Sequence, residues 1–137
     1  MSSCYLSGIK ATATAIVPTK LTACSGGLLT IPVEPVKKDL INDLSWKYRY
    51  SHGSHWINVV YCNRSMVGCM VTTPLLPDGT RVSRGANQSL TVEDSRQCNL
   101  SRDHIQFQFE VHLTSNSVRR SIFEVEFTIV CKSSQFS

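Results

Sequence analysis

The chain has 137 residues, enough for one domain with a real hydrophobic core. Its net charge of +4 at pH 7 is scattered over residues such as Lys37, Lys38, Arg81, Arg84, Arg96 and Arg102, without the concentrated basic face that nucleic acid requires. No apolar run reaches the ~20 residues of a membrane span, and no nucleophile elbow, phosphate-binding loop or zinc-protease motif occurs, so no enzyme, cofactor, metal or direct membrane insertion is expected.

The opening MSSCYLSGIKATATAIVPTK lacks a basic n-region and a continuous apolar h-region, so the chain reads as a processed segment carrying a start Met or as an excised ectodomain. Alternation of period two predicts a strand in ATATAIV, followed by PTKLTA after Pro18 and a turn at Ser25-Gly26-Gly27. LLTIPV follows with Leu29, Ile31 and Val33 on one face. PVKKDLIND connects it to LSWKYRY, where Leu44, Trp46 and Tyr48 share a face. SHGSH turns the chain into WINVVYC; its His52 and His55 lie in a Gly/Ser-rich turn and read as a solvated loop, not a metal site.

NRSMVGC is a loop or tight hairpin, MVTTPLL a strand, and Pro77-Asp78-Gly79 a strong turn signal. RVS and QSLTVED are short strands, and SRQCNLSRD leads into HIQFQFEVHL, where Ile105, Phe107, Phe109 and Val111 alternate with Gln106, Gln108 and Glu110. TSNSVRRS turns it back into IFEVEFTIVC, and KSSQFS is a frayed tail. Eight or nine short strands separated by regular turns predict an all-β sandwich or barrel.

Six cysteines (Cys4, Cys24, Cys62, Cys69, Cys98 and Cys131) form an even set without any C-x-x-C, which favours disulfides in an oxidising compartment over zinc. Spacing alone leaves their pairing open. Sequons at Asn63, Asn87 and Asn99 give mild support to a secreted or cell-surface glycoprotein. A cytosolic β-protein with reduced thiols is the competing reading.

At these residues the chain resembles a variable-type immunoglobulin domain of an immune or adhesion receptor. Gly26-Gly27-Leu28-Leu29-Thr30-Ile31-Pro32-Val33 resembles the first core strand of that family, and Trp46, 13 residues after Val33, resembles its core Trp. Arg81, then Ser89-Leu90-Thr91-Val92, then Asp103, Phe107 and Phe109 resemble the remainder, over roughly residues 12 to 130. The resemblance implies one domain over 1–137 with its core at about 12–131: an immunoglobulin-like β-sandwich of eight to nine antiparallel strands in two sheets. It implies an Arg81–Asp103 ion pair closing one end of the sandwich. It also implies that Val33 and Phe109, standing where the family has its inter-sheet cysteines, meet Trp46 in the core. The family's Asp-x-Gly-x-Tyr pattern lacks its Gly and Tyr here, and the gap from Leu90 to Asp103 is longer than usual.

The same resemblance gathers Cys24, Cys98 and Cys131 at one end, favouring Cys24–Cys98 or Cys24–Cys131, with Cys62–Cys69 closing a local hairpin. Cys4 is then paired with the leftover cysteine or free for an intermolecular bond. Sialic-acid-binding branches of the family carry an Arg where this chain has Glu110, so lectin activity is not expected. With Trp46, Phe107, Phe109, Val111, Phe123, Val125, Phe127 and Ile129 inward, alternation turns Lys47, Arg49, Gln106, Gln108, Glu110, His112, Glu124, Glu126 and Thr128 outward from one sheet. The resemblance makes that face a recognition surface for a protein partner or a second copy of the chain. It also makes TSNSVRRS a recognition loop in which Arg119 and Arg120 meet an acidic partner. The alternative is a structural or assembly sandwich, of jelly-roll or viral coat type, with no receptor role.

Overall fold

The computed structural model describes residues 17–24, 26–51, 53, 55–63, 69–94 and 104–128. Nine strands run through them: β1 (Thr19–Cys24), β2 (Leu28–Ile31), β3 (Ile41–Tyr50), β4 (Ile57–Cys62), β5 (Met70–Val71), β6 (Arg81–Arg84), β7 (Leu90–Glu93), β8 (Ile105–Leu113) and β9 (Val118–Thr128). Short 3-10 turns at Lys38–Leu40 and Ala86–Gln88 precede β3 and β7. One sheet has the order β1-β9-β8-β3-β4-β5 and the other β2-β7-β6. In immunoglobulin terms these are A′GFCC′C″ against BED, the two-sheet arrangement of a variable-type domain.

One pairing departs from the all-antiparallel expectation. β1 runs parallel to β9, with Thr19 opposite Phe123 and Cys24 opposite Thr128. A period of two tells which side chains share a face but not which way the neighbouring strand runs.

The core forms where the two sheets' inward faces meet. Trp46 lies 4.9 Å from Phe109 and 5.9 Å from Phe123 between ring centroids, and all three are buried with Leu44, Phe107 and Val111. Ile31, Leu90 and Val92 supply the facing layer from β2 and β7. Burial of side chains of this size contributes about 1.5–3 kcal/mol each. The indole Nε1–H of Trp46 donates to the Gln88 carbonyl at 3.0 Å, so its polar end is not left unsatisfied.

Val33 differs from its expected place. β2 ends at Ile31 because Pro32 has no N–H to continue the ladder. Val33 therefore sits beyond the strand, half-buried against the edge of the core, and shares a small cleft with Phe109 and Val111. The fully buried Ile31, not Val33, holds the interior position on β2.

A carboxylate fixes the turn into β2. Gly26, at φ 77°, donates its N–H to Asp94 Oδ2 at 3.1 Å, and the Asp94 N–H donates to the Gly27 carbonyl at 3.1 Å. Cys62 and Cys69 are disulfide-bonded, closing the connection after β4. Cys24 is also disulfide-bonded, to a cysteine outside the described residues. Cys98 and Cys131 lie outside them, as do Asp103, Asn99, His52, Ile129, most of ATATAIV and the KSSQFS tail. Arg81 is exposed at the start of β6, opposite Glu93.

Candidate recognition surface

The outward side chains of the six-stranded sheet are set by the same alternation that fills the core. On β3 these are Ser45, Lys47 and Arg49; on β8, Gln106, Gln108, Glu110 and His112; on β9, Val118, Arg120, Ile122, Glu124 and Glu126. The register places Ser45, Glu110 and Arg120 in one row, and Arg49, Gln106 and Glu124 in another.

The first row is organised around Glu110. Lys47 Nζ reaches one carboxylate oxygen at 2.8 Å, and Arg120 Nε reaches the other at 2.7 Å from directly across the hairpin. His112 Nε2 stands 3.5 Å from the first oxygen. Burial raises the Glu110 pKa, but the hydrogen bonds and positive charges of Lys47 and Arg120 outweigh it and bring it down to about 2.

In the second row the Arg49 guanidinium lies 4.3 Å above the Trp56 ring, while its Nε–H donates to Gln106 at 2.9 Å. Gln106 Nε2 donates to Glu124 at 3.1 Å, and His104 Nδ1 is 2.9 Å from the other Glu124 oxygen. The hydrogen bond from Gln106, against some desolvation and with help from His104, holds the Glu124 carboxyl below its usual range. A chain of contacts thus crosses the face from Trp56 to His104.

Several residues expected to contact a partner sit differently from the sequence expectation. Gln108 and Glu110 are only 7 % and 6 % exposed although they point outward: Gln108 sits between Lys47 and Ile122, and Lys47 and Arg120 close over Glu110. Arg119 and Arg120 are not in a loop. The turn is confined to Thr114–Ser117, with Asn116 at φ 68° and the Leu113 N–H donating to the Ser117 carbonyl at 2.8 Å. This is a short hairpin turn whose left-handed residue suits Asn. Both arginines lie in β9 on opposite faces: Arg120 outward, and Arg119 toward the sandwich edge beside Val33, Phe109 and Val111.

What the face does expose is a mixed surface. The side chains of Arg120, His112 and Glu126 are 55 %, 44 % and 62 % accessible, while Lys47 and Arg49 are partly covered. Tyr61 and Met70, paired across β4 and β5, add an exposed apolar patch on one flank, and Val118 adds one on the other. Sequence reasoning missed Tyr61 and Met70. Tyr61 lies opposite Ser45, and only the register across β3 and β4 shows that it joins the charged face. Asn63 and Asn87 are both exposed.

No family model matches the chain, and no curated protein matches it. Among solved structures it is similar to murine CRIg, with a TM-score of 0.49 and 16 % identity over 81 % of this chain and 93 % of that one. It is also similar to a marsupial T cell receptor, with a TM-score of 0.47 and 14 % identity over 83 % of this chain and 51 % of that one. A third similarity is to the extracellular domain of the voltage-gated sodium channel beta4 subunit, with a TM-score of 0.49 and 10 % identity over 88 % and 98 %. The architecture is that of an immunoglobulin-like sandwich of the variable type, an assignment that rests on strand order and register.

Proposed function

We propose that this domain is an extracellular recognition module that binds a protein partner, or a second copy of itself, through the outer face of its six-stranded sheet. The observation that supports this most is the combination on one face of a pre-ordered charge network with an exposed apolar flank. Glu110 is saturated by Lys47 and Arg120, and Tyr61 and Met70 extend its row two and three strands away. Arg, Tyr and Met are the residue types enriched where interfaces form, and side chains already held in place lose little freedom on binding. The charges of both signs serve on-rate and partner choice more than raw affinity. The cysteines point to an oxidising compartment, and the exposed Asn63 of one sequon accords with a glycoprotein.

The experiment is to stain a panel of cell types with fluorescent tetramers of the domain, and to measure self-association by sedimentation in parallel. Tyr61→Ala and Arg120→Glu are compared with Thr30→Ala, which alters an exposed residue of β2 on the other sheet. Loss of staining or of dimerisation in the first two alone supports the reading. Equal behaviour of all three, or no binding of either kind, refutes it.

A further inference from the structure

A cleft of about 370 Å³ opens away from the recognition face, between β4 of one sheet and the β6–β7 turn of the other. Pro35 and the half-buried Val36 form its accessible apolar wall, the buried Leu44, Trp46 and Val60 lie behind its floor, and its rim carries Lys37, Lys38 and Arg84. Among the described residues no acidic side chain lines it and none of these three cations is ion-paired. That separates them from Lys47 and Arg120, which have a buried carboxylate to hold.

The walls are built to stay open. Gln88 grips the peptide of Val36 twice: its Oε1 accepts the Val36 N–H at 3.0 Å, and its Nε2 donates to the Val36 carbonyl at 2.9 Å. The Gln88 carbonyl in turn receives the Trp46 indole at 3.0 Å, tying rim to floor. Making this clamp requires two consecutive non-glycine residues at positive φ, Asn87 at 52° and Gln88 at 70°. Such backbone is unfavourable for L-residues and persists only where the surroundings enforce it. On the opposite side the Cys62–Cys69 bond fixes the end of β4.

We infer that this cleft is a binding site for a small organic anion with an apolar body, its acidic group held by Lys37, Lys38 and Arg84 and its body lying against Pro35 and Val36. The volume falls in the range of small-molecule sites, which pair apolar lining with a few convergent polar groups. Three unneutralised cations around one opening favour an acidic group, and Arg adds directional hydrogen bonding to a carboxylate, sulfonate or phosphate. The site shares no residue with the proposed protein-binding face, so each reading can fail alone.

The test uses 1-anilinonaphthalene-8-sulfonate as probe and the uncharged N-phenyl-1-naphthylamine as its counterpart lacking the sulfonate, followed by heteronuclear NMR on the whole domain. The sulfonate is expected to shift the amides of Lys37, Lys38, Arg84 and Gln88 and the Trp46 indole N–H, with the Trp56 indole as internal control. The uncharged molecule is expected to bind about tenfold more weakly. The variant Lys37→Gln/Lys38→Gln/Arg84→Gln, all exposed positions, is expected to lose about tenfold in sulfonate affinity, while Lys20→Gln/Arg81→Gln is unchanged. Equal binding of the two probes, shifts mapping elsewhere, unaltered affinity in the triple variant, or no sulfonate binding at all would each overturn the inference.

Discussion

Glu110 of β8 and Arg120 of β9 face each other directly across their hairpin and meet at 2.7 Å, with Lys47 of β3 closing on the other carboxylate oxygen at 2.8 Å. Removing that carboxylate strands two cations that, among the described residues, have no other carboxylate partner. Glu110→Gln is expected to destabilise the domain by about 1–3 kcal/mol. Glu126→Gln, whose side chain is mostly exposed, should stay within about 0.5 kcal/mol. Urea unfolding at neutral pH compares the two, and an E110Q midpoint equal to that of E126Q would refute the bridging role.

The same carboxylate makes stability depend on acidity. Its folded pKa of about 2 lies below the ordinary 4.5, so the folded state binds this proton less readily than the unfolded chain does. The contribution is therefore fully present above about pH 5 and is lost as pH falls from there toward 2. The shift bounds it at about 3 kcal/mol. The stability difference between wild type and E110Q should narrow steadily between pH 5 and about pH 2.5. A difference that does not change over that interval would count against the depressed pKa.

Asn87 and Gln88 both occupy left-handed backbone, yet they should respond oppositely to glycine. Asn87 makes no hydrogen bond among those described, so Asn87→Gly relieves conformational cost and is expected to be neutral or stabilising by a few tenths of a kcal/mol. Gln88→Gly gains the same relief but loses both bonds to Val36, at about 1 kcal/mol each. It should be net destabilising by about 1 kcal/mol, read from thermal or urea midpoints. Similar values for the two variants would remove the clamp from the account.

The Cys62–Cys69 bond closes a short loop, with a sequence separation of 7. Chain-entropy reasoning gives such a loop about 2–3 kcal/mol. Cys62→Ala/Cys69→Ala should lower the urea midpoint correspondingly while the far-ultraviolet dichroism of the sandwich is kept. Collapse of the strand signal in this variant would mean that the bond is a condition of folding and not only a constraint on the unfolded chain.

The inward half of the structure was legible in the sequence because period-two alternation is a local signal. Phe107, Phe109, Val111, Phe123, Val125 and Trp46 all fall where that pattern puts them. The outward half was not. Glu110 reads as an exposed charge on its own strand, and only Lys47, 63 residues away, and Arg120 from the next strand bury it. The polar string TSNSVRRS reads as loop, whereas Asn116 turns the chain tightly enough for β9 to begin at Val118. Proline at position 32 was visible, but the alternation of Leu29, Ile31 and Val33 carried the expected strand across it to Val33.

The brevity of the β8–β9 turn governs how this molecule can change. Insertion of a single residue between Leu113 and Val118 is absorbed as a longer turn, a bulge or a slip, and only a slip would rotate Phe123 into solvent and Glu124 into the core. Side-chain replacement on the flanking strands, by contrast, changes the face without touching the register, repainting a panel whose frame is already set.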